Sequence, residues 1–243
     1  MGWLSESERL RLVSIYAPRR REQFLAGRWL ARQLLCAAYG GDPLRDWPLS
    51  SGEDTAPVLL RGGPPWVAIS HSGDWVACAA SQRRVGIDVE RLDERRNRSA
   101  LMAAVCTASE LAHLLALPYG QRAGAFTSLW TLKEAWFKRR SLGVDTAGMA
   151  ALQTHPMTPG DTETAQVFRC AEAVLSLVAD QDALVVWHPR REAWTADSMR
   201  WGFSPTSACA RPSPKAAHSN RCPCNPAVGA KPHEAVIQER EES

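Results

Sequence analysis

The sequence predicts a mixed α/β (α+β) fold of helices and short strands. Three observations support that class. Residues 19–39 and 121–140 repeat apolar side chains every three or four positions, which is the spacing of a buried helix face. Three short apolar runs, 64–70, 75–81 and 84–90, are bounded by Gly, Ser and Asp in the pattern of strands and turns. Two further apolar runs, 165–179 and 182–189, follow the second helix. The chain has 243 residues, 45% hydrophobic and 23% charged, enough to bury a sizeable core.

The elements can be justified in order. In the first long segment, Phe24, Leu25, Trp29, Leu30, Leu34 and Leu35 are apolar, and Arg28 and Arg32 share a face four residues apart. Gly40-Gly41 ends the helix, and a loop rich in Gly, Pro, Ser and Asp runs to about Pro57. "PPWVAIS" and "WVACAAS", joined by "HSGD", read as two strands with a turn, and "RVGIDVE" as a third. The charged stretch "RLDERRNRS" divides the halves. "TASELAHLLAL" opens with a capping box, with Thr107 as the cap and Glu110 three residues on. The helix over 121–140 is apolar at Phe126, Leu129, Trp130, Ala135 and Phe137. The late runs read as strands, although "AQVFRCAEAVLSLVA" also suits a helix. Beyond about Phe203, prolines recur and large apolar residues nearly vanish, which predicts a disordered tail. Its Cys222-Pro223-Cys224, with Cys209, His218 and His233 nearby, matches no common structural zinc spacing.

Composition excludes several classes. A net charge of +3 is too modest for a nucleic-acid binder, and no apolar run approaches the roughly 20 residues of a membrane span. "MGWLSESERLRL" lacks the apolar core of a secretory signal. Cys36, Cys78, Cys106 and Cys170 sit singly in apolar surroundings, as buried thiols in a reducing cytoplasm do. Charge is uneven, however. Residues 9–32 carry seven arginines, Arg9, Arg11, Arg19, Arg20, Arg21, Arg28 and Arg32, against Glu22 alone. Either this is a solvated face or its partner is anionic.

Three stretches carry chemistry. In "GIDVE" a strand would turn Ile87 and Val89 to the core and Asp88 and Glu90 together to the other face, their Cα atoms roughly 6.5 Å apart. Two such carboxylates are either solvated at an edge or shared by a divalent cation; Mg²⁺ takes one or two carboxylates and fills its other positions with water and phosphate oxygens. In "WTLKEAWFK" the side chains of Trp130, Glu134, Phe137 and Lys138 lie three or four apart on one side of a helix. Glu134 is then a third metal carboxylate, a general base, or half of a surface pair with Lys138. Lys133 and Lys138 are the only lysines before Lys215. A compact ammonium on a flexible stem suits a phosphate better than a rigid guanidinium fork. In "ISHSGD" the residues Ser70, His71 and Ser72 end a strand at a turn, where hydroxyls, imidazole and backbone N–H groups can converge on an anion. Arg61 stands in the Gly-Pro turn "LRGGPP", either reaching a ligand or exposed.

Taken in order, "RGGP", "ISHSGDWVACA", "VGIDVE" and "WTLKEAWFK", with "FLAGRWLAR" upstream, resemble the 4'-phosphopantetheinyl transferases of the large, single-chain, surfactin-synthetase-activating type. The resemblance implies two similar lobes related by a pseudo-twofold axis, divided here as 1–97 and 98–202, with 203–243 as a tail that has no family counterpart. It implies transfer of 4'-phosphopantetheine from coenzyme A to a serine of an acyl or peptidyl carrier protein, releasing 3',5'-ADP, by a cytoplasmic monomer. Asp88, Glu90 and Glu134 match the family's Mg²⁺ ligands, Lys138 the lysine beside the transferring phosphate and Lys133 a pyrophosphate contact. Ser70, His71 and Arg32 match coenzyme A phosphate contacts, and Arg61 a basic residue near the adenine nucleotide. Arg28 joins them through its shared face with Arg32. Gly63 stands where the family usually has a basic residue. Two rival activities share these residues: a metal-dependent nucleotide pyrophosphohydrolase and a non-catalytic coenzyme A sensor.

Overall fold

The computed structural model describes residues 2–52, 56–92, 98–180, 185–187 and 194–206, all within one compact unit, Met1–Ala210. From 207 onward the proposed 203–243 tail, with its cysteine pair, lies outside the described residues.

The chain opens with a helix that apolar periodicity did not mark. Ser5 caps α1 (Glu6–Ser14) by accepting from the Glu8 amide, and the Glu8 carboxylate accepts from the Ser5 amide. The helix has few inward apolar residues because part of its buried face is the acid Glu8. Next, α2 (Pro18–Tyr39) starts with a proline in its first turn and stops at Gly40, whose φ of 79° few other residues adopt. Strands β1 (Trp66–Ser72) and β2 (Trp75–Ser81) form an antiparallel hairpin in which Ser72 faces Trp75. That register leaves Gly73-Asp74 as a two-residue turn, with Gly73 at φ 59°.

The third strand, β3 (Gly86–Arg91), joins a different sheet. Helices α3 (Arg98–Val105), α4 (Ala108–Ala116), α5 (Tyr119–Arg139) and α6 (Thr146–Ala150) follow it. Then come β4 (Leu152–Pro156), β5 (Glu163–Arg169), β6 (Ala173–Asp180), β7 (Val185–Trp187) and β8 (Thr195–Pro205). One sheet runs β1-β2-β7 and the other β3-β6-β5-β8-β4. Thr107 and Glu110 form the expected capping box of α4. The run 165–179, open to a helix by sequence, is the β5–β6 hairpin. β8 extends to Pro205, into the span assigned to the tail. Its last residues pair with β4, and Phe203 packs 6.1 Å from Trp136, which holds them in the fold.

Each sheet carries one long helix. Leu30, Leu34 and Leu35 of α2 pack on Val67, Cys78 and Ala80 of the first sheet. Leu132 and Ala135 of α5 pack on Val167, Val174 and Val178 of the second. Between the sheets, Ala68, Ala77 and Ala79 meet Ile87, Val89 and Leu175. The mixed class holds, with three strands in one sheet and five in the other. Because β3 pairs along its length with β6, the sheets interleave the segments before and after residue 97.

A carboxylate and lysine cluster beside a cationic cavity

Strand parity decides the site. Ile87 and Val89 enter the inter-sheet core, so Gly86, Asp88 and Glu90 face α5. Asp88 sits opposite Ser176, whose hydroxyl bonds the Thr131 hydroxyl of α5 at 2.7 Å. Gly86 allows the approach: a Cβ there would lie 1.9 Å from the Ala135 carbonyl oxygen. With strand and helix this close, Glu134 and Lys138, one helical turn apart, reach β3.

Asp88 is almost fully buried. Its Oδ1 accepts from Ser70 Oγ at 2.7 Å and from Lys138 Nζ, while its buried Oδ2 has no hydrogen-bond partner. Burial pushes the Asp88 carboxyl up to about 7, against the pull of the Lys138 ammonium and with a push from Glu134. Lys138 Nζ also lies 3.2 Å from Glu134 Oε2 and donates to Ser70 Oγ at 3.1 Å. Burial works to lower the Lys138 pKa, but Asp88 and Glu134 more than offset it, and the ammonium is held charged. Glu90 accepts from Ser72 Oγ at 2.7 Å. The two serines also bind β3 by its backbone: Val89 N donates to Ser70 Oγ at 3.3 Å and Arg91 N to Ser72 Oγ at 3.2 Å. The serines of "SHS" therefore fasten the acidic strand.

Lys138 also lines a cavity of about 510 Å³. Among the described residues, five arginines, Arg11, Arg20, Arg28, Arg84 and Arg139, line it as well, and no acid does. Its apolar walls include Phe24, Trp66 and Ile69. His71 faces it, on the strand side opposite Ser70, and Arg20 Nη1 donates to His71 Nδ1 at 3.0 Å. Burial, then the nearby Arg20 and Lys138 charges, lower the His71 pKa to about 4, so the ring is neutral at pH 7. The hairpin turn is pinned to α2 by Gln23 Nε2 on the Gly73 carbonyl at 2.7 Å and by an Arg19–Asp74 ion pair at 2.7 Å. Arg28 is buried, donates to Ser51 Oγ at 2.9 Å, and has its pKa lowered by burial to about 10.

Three expected contacts lie elsewhere. Arg32 is fully buried and bonds both oxygens of Glu8, at 3.1 and 2.6 Å, under the Trp3 ring. Its partner comes from α1, the helix that periodicity did not reveal. Lys133 is also fully buried, and its three N–H bonds go to Val105 O, Glu110 Oε2 and Met149 O at 2.9, 2.6 and 2.8 Å. Lys133 and Lys138 are five residues apart, about 140° around the helix, so Lys133 points away from the cavity that Lys138 lines. Arg61 is exposed, stacks 5.1 Å from the Trp47 ring and does not line the cavity. Conversely, Arg84 and Arg139 line it without a sequence signal: each is one more arginine in an arginine-rich chain. Arg84 lies 4.5 Å over the Trp66 ring. Arg139 is held by Glu163 and Asp180.

Among the described residues, no group of three or more His, Cys, Asp or Glu side chains is arranged to hold a metal ion. The Lys138 ammonium bridges Asp88 and Glu134 instead. The donor chemistry nonetheless fits a divalent cation, because Asp88 keeps a buried carboxylate oxygen with no hydrogen-bond partner and Glu134 is close enough to shift its proton affinity.

Comparison with known proteins agrees with this geometry. Residues 8–81 match the 4'-phosphopantetheinyl transferase N-terminal domain, and residues 84–185 the 4'-phosphopantetheinyl transferase superfamily. The chain is 32% identical over 183 residues to 4'-phosphopantetheinyl transferase AcpT of Escherichia coli O157:H7, covering 75% of this chain and 83% of that protein. It is 37% identical over 122 residues to AcpT of Salmonella typhimurium, which spans 50% of this chain and 59% of the relative. To 4'-phosphopantetheinyl transferase Sfp of Bacillus subtilis it is 28% identical over 153 residues, 58% of this chain and 67% of Sfp. The matched residues include every member of the carboxylate and lysine cluster, and the chain belongs to the 4'-phosphopantetheinyl transferase superfamily.

Proposed function

We propose that this chain transfers 4'-phosphopantetheine from coenzyme A to a serine of an acyl or peptidyl carrier protein and releases 3',5'-ADP. It acts as a monomer in the cytoplasm, in keeping with four free thiols among the described residues and no described helix long and apolar enough to cross a membrane. The observation that carries the reading is the junction at Lys138: one ammonium lines an arginine-rich cavity and also bonds the buried Asp88 and Glu134. An anionic ligand in the cavity would meet the Asp88 and Glu134 carboxylates at that point.

Arg11, Arg20 and Arg28 hold the phosphates of coenzyme A, with neutral His71 as a hydrogen-bond partner. Asp88, Glu90 and Glu134 are the residues that would hold Mg²⁺. When bound, that ion would supply Lewis-acid neutralisation of the diphosphate. Lys138 stabilises charge gathering on the leaving oxygen, and Glu134 accepts the proton of the attacking serine. Positioning and electrostatics supply most of the rate in such transfers. Glu134→Gln therefore lowers turnover about a hundredfold, the cost of one reaction-stage charge contact, while leaving the melting temperature near that of the wild type.

The decisive experiment is an intact-mass assay of apo carrier proteins with coenzyme A and Mg²⁺. The expected result is a carrier gaining the mass of one phosphopantetheine. Free phosphopantetheine without carrier modification would make the chain a hydrolase. Ligand binding with no turnover would make it a sensor.

A further inference from the structure

The opening of "KEAWFK" contains a lysine that the chemistry above leaves unused. Lys133 has no exposed surface, and its three N–H bonds are all made. The acceptors come from three other helices: the Val105 carbonyl ends α3, Glu110 opens α4 and the Met149 carbonyl lies in α6. Glu110 carries the connection further. Its Oε2 accepts from the Thr107 amide at 2.8 Å, and its Oε1 from the amide and hydroxyl of Thr154 in β4, both at 2.9 Å. One Lys–Glu pair thus joins α3, α4, α5, α6 and β4. It stands immediately before Glu134 on the helix that must present Glu134 and Lys138 to β3.

We propose that Lys133 and Glu110 form a positioning pair that sets the roll of α5 about its own axis, and that Lys133 does so without touching coenzyme A. The proposal rests on the reading of Glu134 and Lys138 as reacting groups. Neighbouring residues of a helix are about 100° apart, so a small rotation of α5 that relaxes Lys133 swings Glu134 and Lys138 away from Asp88. The pair also accounts for the residue type. An ammonium directs three donors tetrahedrally toward three separate acceptors, whereas a guanidinium holds its donors in one plane. Arginine keeps the charge yet cannot meet the two carbonyls and Glu110 from the same place.

The test uses the full chain with Lys133→Arg and, as a milder change, Glu110→Gln, which keeps an oxygen for the Thr107 cap. Turnover and the KM for coenzyme A are measured against one carrier protein. Binding of 3',5'-ADP is followed by calorimetry, whose stoichiometry gives the folded fraction. The expected result is a kcat about tenfold or more below wild type per folded molecule, with the KM and the 3',5'-ADP affinity within about twofold, the signature of a contact effective only during reaction. A weakened 3',5'-ADP affinity with kcat retained would make Lys133 a phosphate ligand and overturn the proposal. So would a kcat that falls only in proportion to the folded fraction, or one that does not fall. A wild-type chain that transfers nothing would instead overturn the functional reading beneath it.

Discussion

His71 shows at the residue scale how position converts a common side chain into a tuned one. Its ring lies between Arg20 and Lys138 on the cavity wall, and its folded pKa of about 4 is below the ordinary value of 6.5. Between those values the unfolded chain binds more protons than the folded one, so stability rises with pH across that window and is lost as pH falls through it. Replacing His71 with Gln removes the dependence. Urea midpoints measured from pH 7 down to pH 4 should fall less steeply for the variant than for the wild type. Ser70 is equally specific: one hydroxyl gives its proton to Asp88, accepts the Val89 amide and receives a bond from Lys138. The motif marked "SHS" but not the bonds of its serines to β3, because nothing in a linear string says which strand will lie alongside.

Two close approaches between elements decide whether the cluster exists. β3 meets α5 at Gly86, where a methyl group would collide with the backbone of Ala135. Gly86→Ala should force strand and helix apart and cost about 3 kcal/mol, as overpacking does. A denaturant melt reads the loss of stability, and the transfer assay should show activity falling beyond the fraction unfolded. α1 meets α2 through Glu8, which bonds Arg32 in a fully buried pair and lies 3.5 Å from Arg28. Glu8→Gln strands Arg32 in the core and should cost about 3–5 kcal/mol, read from the same melt. Helices and strands with strong apolar periodicity were legible in the sequence, as α2, α5 and β1–β3 show. α1 was not, because its anchor is an ion pair whose other half is 24 residues away. The inward course of Arg32 was hidden for the same reason. On a helix drawn alone its charge points to solvent, and only the presence of α1 turns it inward.

For the whole molecule, cationic side chains sit at two depths. At the cavity, Arg28 is buried and Lys138 half-buried beside the exposed Arg20 and Arg84, whereas Arg9 and Arg19 outside it are exposed. Salt screens exposed charges more than buried ones. Raising ionic strength should therefore increase the KM for a carrier protein docking on the outer surface more than that for coenzyme A, and initial rates in a salt series would show it. Part of the local geometry was legible in advance: His71, Arg28 and Lys138 line one cavity, and Lys138 bonds Asp88 and Glu134 beside it. Lys133, Arg32 and Arg61 could not be placed, because whether a basic residue faces a ligand or a core depends on partners that only the assembled sheets supply.

β3 belongs by sequence to the first half and by hydrogen bonding to the second. If the chain were cleaved between Leu92 and Arg98, the leading fragment would keep Asp88 and Glu90 while Glu134 and Lys138 stayed with the other. Neither piece could turn over substrate alone. Mixed, they would recombine by slotting that strand back against β6, and restored catalysis would report the reunion, which makes the molecule a natural candidate for a two-part complementation sensor.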